Sequence, residues 1–323
     1  MNIIIITPAE EGSRAGNRAT AMRWHHLLEQ SGHHVSVLTE YQGEQCDLLI
    51  ALHAWRSAKA VKAFREAWPE KPLIVVLTGT DIYHYQHEFP DVTYASMETA
   101  DLLIGLHDLV SQDIPELYRS KLVTFRQSSE QPTAFAGSRS EPGQFHICVI
   151  GHLRDEKDSL RAGVASRHLP DDSEIIISCA GKPYTEEWRE KALQESRDNP
   201  RFQWLGELNK AEIANLIAVS NVMVISSVME GGANVISEAC RAGLPILASD
   251  IPGNRGLLGK DYPGYFPVRD DKRLAELMYR TETDGEFLAK LRQRVMELAD
   301  TFKPEQERQN LEKALALAVQ KST

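Results

Sequence analysis

The sequence predicts an α/β protein built from two doubly wound domains, each with a parallel sheet. Short apolar runs alternate with amphipathic stretches of helical length throughout the chain. Strands that alternate with helices in this way form βαβ units, in which helices cover both faces of a parallel sheet. The alternation stops once, at QSSEQPTAFAGSRSEPGQ (127–144), whose composition is typical of a connection between domains. A chain of 323 residues suffices for two domains of about 150 residues each.

The first domain is predicted over residues 1–135, with strands in NIIIIT, HHVSVLT, CDLLIALH, PLIVVLTG, ADLLIGLH and KLVTF. The second is predicted over 140–303, with strands in FHICVIGHL, EIIISCAG, FQWLGEL, VMVISS and LPILASD. Residues 304–323 form a predicted C-terminal helix, whose apolar stripe of Leu311, Leu315 and Val319 could pack on either domain. Because open α/β sheets bind ligands at the carboxyl ends of their strands, we expect the site in a cleft between the two sheets.

Composition excludes several function classes. The formal net charge is −10, which gives no general attraction to nucleic acid or to an anionic membrane, so any anion must be met by a local site. The chain has no apolar run of membrane-spanning length and begins with a strand-like segment, so we expect a soluble, cytoplasmic protein. The four cysteines show no zinc or redox spacing and are expected to be reduced core thiols.

The most informative segment is EGGANVISEACRAGLPI, which begins at Glu230 directly after the strand VMVISS. Two glycines at the start of a helix allow backbone N–H groups to approach a diphosphate closely, and the helix dipole favours its charge. Glu230 and Glu238 would then accept hydrogen bonds from hydroxyl groups of a sugar and a ribose. The alternative is a tight turn at Gly231 and Gly232 with Glu238 on a solvated helix face.

This segment resembles the signature of the retaining glycosyltransferases with the GT-B fold, the glycosyl transferases group 1. The resemblance implies two Rossmann-like domains facing each other across a cleft, followed by a C-terminal helix. It implies a reaction without metal or other cofactor, between small-molecule substrates. It assigns the donor sugar to Glu230, the ribose hydroxyls to Glu238 and the diphosphate to the backbone of Gly231, Gly232, Ala233, Asn234 and Val235.

Two further segments are similar to that family. In VIGHLRDEKD, Lys157 matches a lysine that neutralises the donor diphosphate, whereas His152 replaces the usual arginine. Arg154 could supply the missing cation or could point into solvent. The resemblance thus makes Glu230, Lys157 and Arg154 the catalytic candidates. In RFQWLGELNKAEI, the backbone of Leu205 and Gly206 matches the part of the family that holds the donor base, most often uracil.

The segment EEGSRAGNRAT follows the first strand and places Arg14 and Arg18 four residues apart. If a helix begins near Gly16, both arginines can lie on one side of its first turn. Cations are unfavourable at a helix N-terminus unless something negative joins them. An anionic acceptor would resolve this conflict, and so would a solvent-facing pair balanced by Glu10 and Glu11.

The N-terminal segments TPAEEGSRAGNRATAMRWHHLLEQSGHHV, IALHAWRSAKAV and VVLTGTDIYH resemble a narrower group, the selenosugar synthases of selenoneine biosynthesis. That resemblance implies transfer of GlcNAc or glucose from a UDP-sugar to selenophosphate, and a functional link to enzymes that supply selenophosphate and form selenoneine. His53 and His107 each end a predicted strand, and we expect core or cap histidines there in preference to catalytic bases. The acceptor-side candidates are Gly12, Ser13, Arg14, Gly16, Asn17, Arg18, His53, Thr78, Gly79, Thr80 and His107.

Three other functions compete. The nearest is a hexosyltransferase acting on a hydroxyl group of a lipid, glycan or small metabolite, and a sugar-nucleotide epimerase with the GT-B fold is a weaker rival. A binding protein without catalysis would be favoured by the histidine at position 152. A nicotinamide-dependent dehydrogenase is disfavoured, because GSRAGN after the first strand does not match GxGxxG.

Overall fold

The computed structural model describes residues 1–13, 15–132 and 143–322. Strands lie at β1 Asn2–Ile6, β2 His34–Leu38, β3 Leu48–Leu52, β4 Leu73–Leu77, β5 Leu102–Gly105, β6 Leu122–Thr124, β7 Phe145–Ile150, β8 Ile175–Ala180, β9 Phe202–Trp204, β10 Val222–Ile225, β11 Ile246–Ser249 and β12 Tyr265–Phe266. Most of these are runs of β-branched and other apolar residues, as expected for strands that are covered on both faces.

The α-helices are α1 Gly16–Gln30, α2 Ala58–Ala67, α3 Gln86–Glu88, α4 Pro90–Thr99, α5 Val110–Asp113, α6 Arg161–Ser166, α7 Glu186–Asp198, α8 Lys210–Val219, α9 Asn234–Ala242, α10 Pro252–Leu258, α11 Asp271–Thr283, α12 Gly285–Leu298 and α13 Pro304–Ser322. A π-helical turn, Asp81–Tyr85, precedes α3, and short 3₁₀ helices cover Glu116–Lys121 and Ala299–Phe302. Helix α1 begins at Gly16, where the arginine-segment hypothesis requires it to begin.

The chain divides into two compact units. The first unit consists of Met1–Ser128, the short segment Glu230–Ala233 and the C-terminal segment from Pro304. Its sheet is entirely parallel, in the order β2-β1-β3-β4-β5-β6. Alternate residues of the central strands enter two apolar clusters, one on each face of the sheet.

The second unit consists of Ser129–Met229 and Asn234–Lys303. Its sheet is also parallel, in the order β12-β11-β10-β7-β8-β9. The first strand of this unit, β7, therefore lies in the middle of the sheet, with later strands added on both sides. This is the strand order of a dinucleotide-binding doubly wound domain.

The C-terminal helix α13 packs within the first unit, which decides the alternative that the sequence left open. Leu311 and Leu315 are buried as predicted, together with Ala314 and Ala318, against the apolar face of α1. The prediction for Val319 is wrong, since this side chain is 38% exposed. At 100° per residue, position 318 continues the stripe of 311 and 315 better than position 319 does.

The compact units change over at Ser128 and Ser129, whereas the predicted boundaries at 135 and 140 lie outside the described residues. All four cysteines are buried and none forms a disulfide, which confirms their prediction as core thiols. Burial raises the pKa of Cys46 to about 11 and those of Cys148 and Cys179 to about 12, so these thiols resist ionisation. Within the described residues, no helix is long and apolar enough to cross a membrane.

Candidate active site

The strand orders select particular loops as ligand sites. In an open parallel sheet, ligands bind outside the carboxyl ends of the strands, at the point where the strand order reverses. In the first unit that point lies between β1 and β3, so the segment between β1 and α1 stands at it. In the second unit it lies between β7 and β10, so the segments that follow these two strands stand at it.

The β1–α1 segment leads into the N-terminus of α1, and no side chain of the first turn neutralises the partial positive charge there. Ala15 is the N-cap residue of α1, and neither a capping side chain nor an acidic residue lies in the first turn. The Ser13 hydroxyl accepts the N–H of Ala15 at 3.1 Å, which shapes the turn before the helix. The first-turn N–H groups of α1 therefore keep their partial positive charge.

Arg18 lies in that first turn and is half-buried. Among the described residues, no carboxylate forms an ion pair with it, and Glu10 and Glu11 do not balance it. Arg14, the other predicted arginine, lies outside the described residues. The segment thus carries at least one guanidinium without a carboxylate partner beside a positive helix end. Gly12, with φ at 78°, Gly16 and Asn17 complete the predicted segment.

The loop after β4 is organised by a buried carboxylate. Asp81 is fully buried and accepts the backbone N–H groups of Ala54, Thr78 and Gly79 at 2.7–3.0 Å. The sequence suggested that Thr78 and Gly79 could donate their N–H groups to an acceptor. In the structure both groups are already used by Asp81, because a buried carboxyl group needs hydrogen-bond partners. The hydroxyls of Thr78 and Thr80 are the polar groups that this loop can still offer.

His53 ends β3 in the left-handed region of backbone space, with φ at 77°, a conformation that residues other than glycine rarely adopt. Its Nδ1 accepts the N–H of Arg56 at 3.1 Å, so the ring proton lies on Nε2, which donates to Thr80 Oγ1 at 2.9 Å. Burial lowers the pKa of His53. The neutral imidazole orients the Thr80 hydroxyl, whose own proton therefore points away from His53.

His107 ends β5 and is also fully buried with both ring nitrogens occupied. Its Nδ1 accepts the N–H of Leu109 at 3.2 Å, and its Nε2–H therefore donates to the Tyr83 hydroxyl at 2.9 Å. Tyr83 in turn donates to Asp113 at 2.9 Å. Burial lowers the pKa of His107 to about 4, and it raises the pKa of both Tyr83 and Asp113. This arrangement suits a core histidine rather than a general base.

The glycine segment Glu230–Ala233 belongs to the first unit and packs against its loops. A Cβ on Gly231 would overlap the backbone of Thr78 and Gly79, and one on Gly232 would lie 2.6 Å from Leu106 Cβ. The glycines were predicted to let a ligand approach the backbone. The structure gives them a second role, because only glycine allows this segment to approach the β4 loop so closely. Glu230 itself is buried, with 9% of its surface exposed.

The second unit brings the segments after β7 and β10 together. The N–H of Val228 donates to Glu156 O at 2.9 Å, and the Ser226 hydroxyl donates to Asp158 O at 2.8 Å. His152, Arg154 and Lys157 are half-buried in the first of these segments. Arg154 Nε lies 3.7 Å from Glu156 Oε2, which is too far for a hydrogen bond, so its charge is only loosely balanced.

The segment after β9 holds the predicted base-binding backbone. The N–H of Leu205 donates to Cys179 O at 2.8 Å, and Gly206 accepts the N–H of Gly181 at 2.7 Å. Gly206 has φ at 75°, so the chain turns back sharply there. Asn234, Val235 and Glu238 lie on α9, and Glu238 is half-buried in its second turn.

Among the described residues, no group of three or more His, Cys, Asp and Glu side chains is arranged to hold a metal ion. Sequence reasoning overlooked the hydrogen-bonding role of Asp81, and it missed Gln127 entirely, which lies buried beside Gly232. Asp81 directly follows Thr78-Gly79-Thr80 in the sequence, and an aspartate in such a turn often accepts backbone N–H groups of the same loop. Gln127 had no signal, because its partners lie about 100 residues away on either side.

The second unit also carries the match that decides the family. The model of the family described as Glycosyl transferases group 1 matches residues 130–298, which is more than half of the chain. The chain belongs to this family. The matched range contains Glu230 and Glu238, and it contains Lys157 in the segment after β7. The resemblance that these motifs suggested is therefore confirmed at the family level.

Similar proteins extend this result to the fold. HepE (Alr3699) of Anabaena, solved in complex with UDP, is 17% identical with a TM-score of 0.73, covering 98% of this chain and 100% of its own. Sucrose-phosphate synthase (tll1590) of Thermosynechococcus elongatus is 16% identical with a TM-score of 0.81, covering 97% of each chain. Glycosyltransferase 1 domain-containing protein 1 of Xenopus tropicalis is 23% identical over 303 residues, which cover 85% of this chain and 86% of that protein. The predicted two-domain GT-B fold is confirmed.

Proposed function

We propose that this glycosyltransferase moves a hexose, GlcNAc or glucose, from a UDP-sugar to selenophosphate and so forms a 1-seleno-sugar for selenoneine biosynthesis. Membership of the family supports sugar transfer from an activated donor. The choice of UDP is supported by HepE, whose solved complexes contain UDP, UDP with glucose, or UDP-glucose. The choice of selenophosphate depends on the N-terminal sequence resemblance and on the charge of the β1–α1 segment.

The donor is assigned to residues that the family motifs mark. Lys157 and Arg154 balance the diphosphate, whose negative charge grows as the bond to the sugar breaks. Arg154 suits this role because its existing partner, Glu156, lies beyond hydrogen-bond distance. Glu230 and Glu238 accept hydrogen bonds from hydroxyl groups of the hexose and the ribose. In this proposal these side chains and the backbone of the glycine segment do the work, with no metal or other cofactor.

The observation that carries the acceptor assignment is Arg18. A half-buried guanidinium without a carboxylate partner, placed in the first turn of an uncapped helix, is unfavourable until an anion joins it. Selenophosphate is small and carries several negative charges, so it satisfies both the guanidinium and the free helix N–H groups. The Thr80 hydroxyl, oriented by His53, supplies a further donor in the loop after β4 of the same unit.

The proposed reaction has two steps. The selenium of selenophosphate attacks C1 of the hexose, the C1–Se bond forms, and the C1–O bond breaks with its electron pair leaving on UDP. Selenium is soft and already anionic, so no strong general base is needed, in agreement with the buried and fully bonded state of His53 and His107. Water then attacks phosphorus, the P–Se bond breaks, and inorganic phosphate and the seleno-sugar result.

One observation favours a hydroxyl acceptor as the second candidate. Trp55 stacks on Tyr85 with ring centroids 4.0 Å apart and contacts Phe89 at 5.1 Å. These aromatic side chains follow β3 and β4 in the chain, and Phe89 is 39% exposed. Aromatic faces of this kind suit the apolar face of a sugar ring better than they suit a small anion. A glycan or other hydroxyl-bearing acceptor would use them.

The test is UDP release by the purified protein from UDP-GlcNAc and from UDP-glucose. Parallel reactions contain selenophosphate, inorganic phosphate, a panel of mono- and oligosaccharides, or no acceptor. We expect release that depends on selenophosphate with at least one donor. Release that depends on a saccharide instead would establish the second candidate. UDP binding without turnover in any reaction would contradict both and would leave a binding protein.

A further inference from the structure

A buried amide holds the glycine segment from behind. Gln127 follows β6 and has only 4% of its surface exposed. With its amide oriented so that donors meet acceptors, Nε2 donates to the carbonyl of Gly232 at 2.8 Å, and Oε1 accepts from Arg23 Nη2 at 2.8 Å. Oε1 also lies 2.5 Å from Thr20 Oγ1. The carbonyl of Gly232 is therefore fixed by a side chain that is distant in sequence.

Behind Gln127 the network ends on a carboxylate of the C-terminal helix. Arg23 Nε donates to Glu307 Oε2 at 2.8 Å, and Trp24 Nε1 donates to Glu307 Oε1 at 2.6 Å. Glu307 Oε2 also accepts the N–H and hydroxyl of Ser128 at 2.7 and 2.5 Å. Glu307 is only 1% exposed, so water cannot stabilise its carboxylate. Arg23 and the hydrogen bonds from Trp24 and Ser128 stabilise it instead.

We propose that Gln127, backed by Arg23 and Glu307, is a positioning residue that fixes the glycine segment for donor binding. The chain of contacts runs from α13 through Glu307, Arg23 and Gln127 to the carbonyl of Gly232, and all of it lies within the first unit. The C-terminal helix thus acts on a segment about 70 residues before it. This inference depends on the proposed function only in naming the diphosphate of a UDP-sugar as what the segment binds.

The physical reason is preorganisation. A segment with two adjacent glycines has more backbone freedom than any other, and this freedom must be lost when the segment binds a ligand through its N–H groups. Packing of Gly231 against Thr78 and Gly79 fixes one end of the pair. The bond from Gln127 to the Gly232 carbonyl fixes the other end, so the entropy is lost on folding and not on binding. Removing that bond should weaken donor binding without touching the ligand.

Two variants remove the bond in different ways. Gln127→Met keeps the size of the side chain but has no donor or acceptor, whereas Gln127→Glu keeps an acceptor for Arg23 and has no donor for the Gly232 carbonyl. The matched control is Asp101→Asn, which breaks the ion pair with Arg65, 2.7 Å long, where β4 and β5 begin. That pair is partly buried in the same unit but makes no contact with the network.

Two measurements test the role of Gln127, and one of them needs no ligand, so it does not depend on the proposed donor. Amide hydrogen exchange of the ligand-free protein is followed by mass spectrometry in peptides that cover 228–236, and UDP affinity is measured by calorimetry. We expect both Gln127 variants to exchange faster in these peptides and to raise the Kd of UDP about tenfold. Asp101→Asn should lower thermal stability but leave both readouts as in the wild type.

Wild-type exchange and wild-type UDP affinity in a folded Gln127 variant would overturn the inference. If one variant fails to fold, the other is still decisive, because each removes the donor to Gly232. If the wild-type protein binds no UDP, the proposed donor is wrong and the exchange measurement alone decides whether Gln127 fixes the segment. Faster exchange that appears equally in the Asp101→Asn control would also overturn it, because the effect would then be global.

Discussion

Two segments of the first unit contrast in how their polar groups are satisfied. Behind Glu230–Ala233, Gln127, Arg23 and Glu307 bond to one another and leave their charges paired. In the β1–α1 segment, Arg18 has no carboxylate partner among the described residues, and the helix start is uncapped. A satisfied network fixes a backbone, whereas an unsatisfied charge is completed by a ligand. Substitutions in the two segments should therefore differ in their effects on stability and on ligand binding.

The network is expected to fail most severely at its buried charge. Glu307→Gln removes the fully buried carboxylate charge that pairs with Arg23. We expect a loss of about 4 kcal/mol in the free energy of unfolding, measured in urea. The control is Glu312→Gln on the same helix, whose carboxylate is 40% exposed beside His33, and which should cost less than about 1 kcal/mol. Equal losses in the two variants would contradict the central position of Glu307.

A comparable loss is expected where the glycine segment meets the β4 loop. Gly231→Ala places a Cβ against the backbone of Thr78 and Gly79, which cannot move as a flexible side chain could. We expect a loss of about 3 kcal/mol and weakened UDP binding. Gly12→Ala is the matched variant in the other segment. It has φ at 78° but open space around the new Cβ, and should cost only about 1 kcal/mol. A tolerated alanine at position 231 would show that the close packing is dispensable.

Buried His107, which follows β5, should make the stability of the protein depend on pH. Burial lowers the pKa of folded His107 to about 4, below the value of about 6.5 expected in the unfolded chain. Between these values the unfolded state binds more protons, so stability falls as the pH falls. We expect a loss of about 2 kcal/mol between pH 7 and pH 5 from this group.

His107→Gln keeps a donor for Tyr83 and cannot be protonated, so its urea-unfolding free energy should decline less over that range. His53, whose pKa is also lowered, contributes in the same direction in both proteins, and Asp113, whose pKa is raised, opposes it. The comparison of the two pH profiles isolates His107. Identical slopes between pH 7 and pH 5 would show that folding does not lower the pKa of His107.

The β1–α1 segment should show the opposite behaviour, with a small effect on stability and a large one on the acceptor. Arg18→Ala removes a side chain that has no ion-pair partner, so we expect a change within about 0.5 kcal/mol. The KM for selenophosphate should rise about tenfold or more, while the KM for the UDP-sugar stays within about twofold. Arg14→Ala should behave similarly if both arginines serve the acceptor. Equal changes in the two KM values would refute the acceptor assignment.

The sequence predicted the fold through its periodicity, because strands such as NIIIIT and LPILASD are local patterns flanked by amphipathic helices. It also located the glycine segment, and α1 begins at Gly16, as the hypothesis about the two arginines required. Gln127 and Glu307 could not be predicted, because their roles depend on contacts with α1 across more than 100 residues of sequence. The use of the Thr78 and Gly79 N–H groups by Asp81 was equally hidden, since sequence shows which donors are near but not what already binds them.

The most direct test of the proposed function is the mass of the product. Wild-type protein is incubated with UDP-GlcNAc or UDP-glucose and selenophosphate, and the hexose product is analysed for the isotope pattern of selenium, with inorganic phosphate in place of selenophosphate as the control. We expect a hexose that carries one selenium atom, formed together with UDP. UDP release without selenium in any sugar product would contradict it.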